Sequence, residues 1–136
     1  GSILRALFDT TCPIAYGLDR EEAIFFEGGP VFDVKLGENV AVYPETNPLL
    51  SGWILGEKLL VGKTALAELP MGEGTAILIG FSPLFRSQAH GTFKVLFNSL
   101  LYASGEIPSN QSFFFLFTHE ELLNYHCLLN NKESLK

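Results

Sequence analysis

Short apolar stretches recur along the first eighty residues of this 136-residue chain, each broken by turn-forming residues. Residues 3–8, 23–26, 31–34, 40–43 and 52–55 read as short strands. Asp9, Thr10, Thr11 and Pro13 end the first of them. Asp and Thr side chains compete for backbone hydrogen bonds, and Pro has no N–H to donate. Residues 63–69 and 75–81 form the strongest strands, joined by a hairpin loop over 70–74 that contains two glycines. The second of the pair is almost wholly apolar, which predicts a central strand buried on both faces.

The period changes after residue 90. Phe93, Leu96, Phe97, Leu100 and Leu101 fall at i, i+3, i+4, i+7 and i+8, the spacing of one helix face. This predicts an amphipathic helix over 91–103, its Phe93, Leu96, Phe97 and Leu100 face packed on the strand 75–81. On that pattern Phe97 is core, and Phe97→Ala removes most of the stability. Gly105 and Pro108 end the helix. Residues 106–112 read as a polar linker. Thr118 with Glu121 forms a capping box for a second helix, whose apolar side is Leu122, Leu123, Cys127, Leu128 and Leu129. The predicted class is α+β: mostly short, partly antiparallel strands, one strong amphipathic helix, and a C-terminal helical tail.

Composition narrows the function. The chain is 47% apolar and 18% charged, with twelve Phe, enough for one core and for a face that expects a partner, so self-association is predicted. The net charge of -6 and the absence of a Lys/Arg cluster argue against nucleic acid and against anionic membrane surfaces. No apolar run approaches the ~18 residues of a membrane span.

Candidate chemistry is sparse. His119 and His126 lie roughly 10 Å apart on the predicted second helix, too far to share one tetrahedral ion. No HxxE or HExxH occurs, so neither a metal nor another cofactor is expected. Cys12 and Cys127 have no disulfide spacing and read as idle thiols. Cys12 as a nucleophile needs a base, for which His90 is the candidate. The pairs Glu21-Glu22 and Glu120-Glu121 read as solvated charge. The glycines form no phosphate-binding motif. The loop carrying Arg86, Gln88 and His90 is the candidate ligand site. An Arg beside the free amides of a helix N-terminus suits a carboxylate or phosphate. The competing expectation is structural, with Arg86 bridging loop carbonyls or a carboxylate.

Residues 48–55 (PLLSGWIL) and 80–97 (GFSPLFRSQAHGTFKVLF), with DTTCPIAYGL and AIFFEGGPVFDV upstream, carry a resemblance. The segment 3–103 resembles the C-terminal domain of bacterial zinc carboxypeptidases of the carboxypeptidase A type. In that family a catalytic domain comes first, and a domain like class I glutamine amidotransferases follows. The resemblance implies a partial α/β fold, an amidotransferase-like or flavodoxin-like half, over 1–105, with 106–136 as linker and helical tail. It implies a non-catalytic accessory domain for packing, oligomerisation or substrate presentation, and a parent metallocarboxypeptidase that is secreted or periplasmic. Its partner would be a second copy or the catalytic domain, which carries the zinc ligands and catalytic Glu. Cys12 stands where the family's turn has His. The alternatives are a small carboxylate- or anion-binding module using Arg86, Gln88 and His90, and a remnant hydrolase or amidotransferase using Cys12 and His90.

Overall fold

Inward and outward positions alternate along the first strand, β1 (Ser2–Phe8), so that Ser2, Leu4, Ala6 and Phe8 are buried and the residues between them half-buried. The computed structural model describes residues 1–72, 74–105 and 114–117. β2 (Glu21–Phe26) runs antiparallel to β1, with Ile24 opposite Leu4. The other side of β1 is shared by two short strands. β3 (Glu38–Val42) pairs with its end, and β4 (Leu49–Ser51) with its start. β5 (Thr64–Met71) pairs with β3, and β6 (Gly74–Ile79) returns antiparallel beside β5. Beyond β6 lies β7 (Phe114–Phe117), parallel to it. The helix α1 (Phe93–Gly105) lies between β6 and β7 in sequence. The seven strands form one sheet in the order β2-β1-β3-β5-β6-β7, with β4 off that path, so the class is α+β.

The sheet curls. The amide of Ser82, just past β6, donates to the carbonyl of Phe25 in β2 at 3.1 Å. Phe32 and Thr64 exchange both backbone hydrogen bonds, at 3.0 and 3.1 Å. The segment after β2 therefore crosses the ends of β5 and β6. A Cβ on Gly80 would lie 2.4 Å from the Pro30 carbonyl oxygen, and one on Gly29 would lie 2.4 Å from that of Gly80. Two backbones touch here because neither residue has a side chain. Leu4, Ile14, Ile24, Val40, Leu66 and Ile77 are among the core residues enclosed by the curl.

Several expectations shift. Residues 31–34 are not a strand, because the crossing brings Phe32 alone into register, against Thr64. The strand expected at 52–55 lies earlier, at Leu49–Ser51. Gly52 takes φ +91 and turns the chain out, and the Ser2 hydroxyl holds the Trp53 carbonyl. The hairpin loop is shorter than 70–74, since Met71 already pairs with Gly74. Phe114–Phe117, which the sequence assigned to the tail, contributes a strand to the sheet. The expected linker at 106–112 and the helix from Thr118 lie outside the described residues.

The largest correction concerns α1. Val95 and Ser99 are its buried residues, whereas Phe97 is 55% and Leu100 47% exposed. At 3.6 residues per turn, Val95, Asn98, Ser99 and Tyr102 share one face. Phe93, Leu96, Phe97 and Leu100 lie on roughly the opposite one. The polar side chains explain the rotation. Asn98 Nδ2 donates to the carbonyls of Ile14 at 3.0 Å and Tyr16 at 2.8 Å, and Lys94 Nζ donates to that of Gly17. The bond to the Ile14 carbonyl is part-buried, so leaving that carbonyl unpaired would be costly, whereas the bonds to Tyr16 and Gly17 are exposed.

Tyr43 is buried, and its hydroxyl has no partner among the described residues. Burial pushes its pKa well above the ordinary 10.0. Above pH 10 the unfolded chain loses this proton while the native state keeps it, so stability falls as pH rises through that range and is untouched below it. Tyr43→Phe removes the orphan hydroxyl. It is expected to hold neutral-pH stability or raise it by about 1 kcal/mol, and to flatten the alkaline loss. Urea titrations at pH 7 and pH 11 check this. A loss at pH 7 would mean that the hydroxyl is bonded.

Candidate functional site

The site forms where β1 ends. Asp9 Oδ1 accepts from the Thr11 amide at 3.0 Å and from the Thr11 hydroxyl at 2.6 Å, which makes the first bend. These bonds hold the exposed Asp9 carboxyl below its ordinary value, the hydroxyl contributing most. Pro13 then opens a 3-10 turn, Pro13–Ala15, with Cys12 just ahead of it. Ile14 and Ala15 point into the core and draw Cys12 inward, to 6% exposure.

Two strands supply the rest. In the β3–β5 ladder Glu38 is directly opposite Glu68. The Cys12 thiol and a carboxylate oxygen from each Glu lie within 4.8 Å of one another. Glu38 is exposed and Glu68 half-buried. From α1, the Tyr102 hydroxyl donates to Glu68 Oε1 at 3.1 Å. A cavity of about 450 Å³ opens beside the thiol, lined by Thr11, Cys12, Tyr16, Asn98, Leu101 and Tyr102 among others.

Burial pushes the Cys12 thiol up from its ordinary 9.0; the Ile14 amide opposes this, and the charges of Glu68 and Glu38 reinforce it. Cys12 therefore keeps its proton at neutral pH, and a protonated thiol is a poor nucleophile. Nor does it meet His90. The helical residues beside the cavity are Asn98, Leu101 and Tyr102, whereas His90 precedes the first turn of α1. Phe93 and Leu101 alone are separated by roughly 12 Å of helix rise.

Arg86, Gln88 and His90 are all exposed on the loop between β6 and α1. Arg86 and Ser87 both take left-handed φ, of 44° and 56°. The Arg86 guanidinium lies 5.1 Å over the Phe85 ring, which stacks on Phe25 with centroids 3.9 Å apart. His90 Nε2 is 2.8 Å from the Ser87 carbonyl, to which it donates in the matching tautomer, and the His90 ring meets Phe93 edge-on. Arg86 makes no ion pair among the described residues, so an aromatic contact takes the place of the expected carboxylate bridge. Arg86 and His90 thus have separate partners among the described residues.

Sequence reasoning passed over Glu38, Glu68 and Tyr102. One signal was present: Glu68 is the only charged residue in the run Thr64–Met71. Its proximity to Cys12 depends on strand register and has no local signature. No protein-family model, curated protein or solved structure matches the chain.

Proposed function

We propose that this chain is a non-catalytic accessory domain of a zinc carboxypeptidase-like protein, and that it docks on that protein's catalytic domain through the outward stripe of α1. The family part of this proposal rests on the motifs at 48–55 and 80–97. The docking part rests on one observation, the exposure of Phe97 (55%) and Leu100 (47%) on the most apolar face of the helix. Full burial of a Phe is worth roughly 1.5–3 kcal/mol, which this stripe gains only when another surface covers it. Rolling the helix inward to bury it would break the bonds from Lys94 and Asn98 to the carbonyls of Ile14, Tyr16 and Gly17.

A second apolar group is exposed as well and would be covered by the same kind of partner surface. Trp53, Leu55 and Leu59 are 74, 83 and 72% exposed on the segment that follows β4. The Trp53 carbonyl is held by the hydroxyl of Ser2, at the start of β1. The finer fold assignment, the second half of an amidotransferase-like sheet, draws support from the unit β6–α1–β7. It contains the parallel strand pair among the described residues, and a helix is the usual link between parallel strands.

A photo-cross-linking residue in place of Phe97, in the full polypeptide that contains this chain, tests the proposal. Cross-links to an upstream carboxypeptidase domain are the expected result. Cross-links to residues 118–136 of the same chain, to a second copy, or to nothing would overturn it.

A further inference from the structure

We infer that Cys12, Glu38 and Glu68 form a binding site for one thiophilic divalent cation of the zinc type. Three separate elements deliver one donor atom each to a common point, all within 4.8 Å of one another. The ladder register sets the two carboxylates face to face, a placement that like charges disfavour. The third donor comes from outside the sheet, the thiol of Cys12, a residue only 6% exposed. A divalent ion answers all three donors at once.

The donor set selects the ion. Thiolate with oxygen donors suits a borderline-soft cation, whereas magnesium and calcium take oxygen-only shells. Zinc bonds of about 2.0–2.3 Å require donors about 3.5 Å apart, so the cluster needs to close by no more than about an ångström. Glu38 is exposed and able to swing in. Glu68 is oriented by the Tyr102 hydroxyl at 3.1 Å, the kind of outer hydrogen bond that fixes a ligating carboxylate. Three protein donors leave the fourth position of a tetrahedral ion to water or a small ligand. This inference is independent of how α1 docks.

The test uses the full 136-residue chain with Cys127→Ser, so that Cys12 is the sole thiol. Calorimetric titration with zinc is expected to give one ion per chain, and magnesium no measurable binding under the same conditions. Cadmium should produce the ultraviolet thiolate-to-metal band, and zinc should slow alkylation of Cys12 at least tenfold. Both of these readouts leave the cluster itself unaltered, so they hold even if a cluster variant does not fold. Glu68→Gln should weaken zinc by more than tenfold, and Tyr102→Phe by about tenfold. Absence of zinc binding, zinc binding without the cadmium band or the protection of Cys12, or zinc affinity unchanged in folded Glu68→Gln would each overturn the site.

Discussion

Gly80→Ala is expected to cost about 3 kcal/mol or more of folding stability. The added methyl would sit 2.4 Å from the Pro30 carbonyl oxygen and 3.2 Å from that of Ala65. Both are backbone atoms, which cannot rotate away as a side-chain tip can. Overpacking a core costs about 1–3 kcal/mol and sometimes more, and a clash between two backbones belongs at the upper end. The crossing is also what closes the curl, through the Ser82–Phe25 and Phe32–Thr64 hydrogen bonds, so relief by separation would lose those bonds. A fall in melting temperature of roughly 10 °C or more is expected, read by circular dichroism. Gly29→Ala should act similarly, since its methyl meets the Gly80 carbonyl at 2.4 Å. The double variant should cost less than the sum, because one separation relieves both clashes. Gly91→Ala is the control. A Cβ there has one neighbour, a Glu22 carboxylate oxygen at 3.7 Å, and the change should be within about 0.5 kcal/mol of neutral. Native melting of Gly80→Ala would show that the crossing is loose.

Val95→Asp and Phe97→Asp should differ more than any other neighbouring pair on α1, in the order opposite to side-chain size. Val95 is fully buried in the core cluster, so a carboxylate there has neither water nor a partner. Such substitutions cost about 4 kcal/mol or more, against a total stability on the order of 5–15 kcal/mol for a domain. Loss of most of the folded population is expected. Phe97, at 55% exposure, should accept Asp within about 1 kcal/mol. Urea unfolding of the two variants separates the outcomes. A severe loss at Phe97 with tolerance at Val95 would mean that the helix packs by its Phe97 stripe.

Phe97 also marks how far local pattern reaches. The spacing of Phe93, Leu96, Phe97 and Leu100 identified a helix and its apolar face, and both are present. The face was then assigned to the core because apolar residues are usually inside. Here Lys94 and Asn98 bond the carbonyls of Ile14, Tyr16 and Gly17 in the turn 13–17, and those bonds favour the orientation that leaves the stripe outward. The site divides in the same way. Cys12 was legible as the residue before Pro13 in a turn, and Arg86, Gln88 and His90 as a polar loop at a helix start. The first lies in a cluster with Glu38 and Glu68, while Arg86 rests on the Phe85 ring and His90 on the Ser87 carbonyl.

By itself, the sequence determined the strands near 3–8, 23–26, 40–43, 63–69 and 75–81, the hairpin between the last two, and the helix near 91–103. Alternation, turn residues and 3.6-residue spacing act within a few residues of one another, so their outcome is written locally. The tertiary structure alone decided which face of α1 is inside, that Gly29 and Gly80 must touch, and that Glu38 stands opposite Glu68 beside Cys12. Each of those depends on register and crossing between segments far apart in the chain. A ladder shifted by one residue would keep every local pattern and put the two carboxylates on opposite faces.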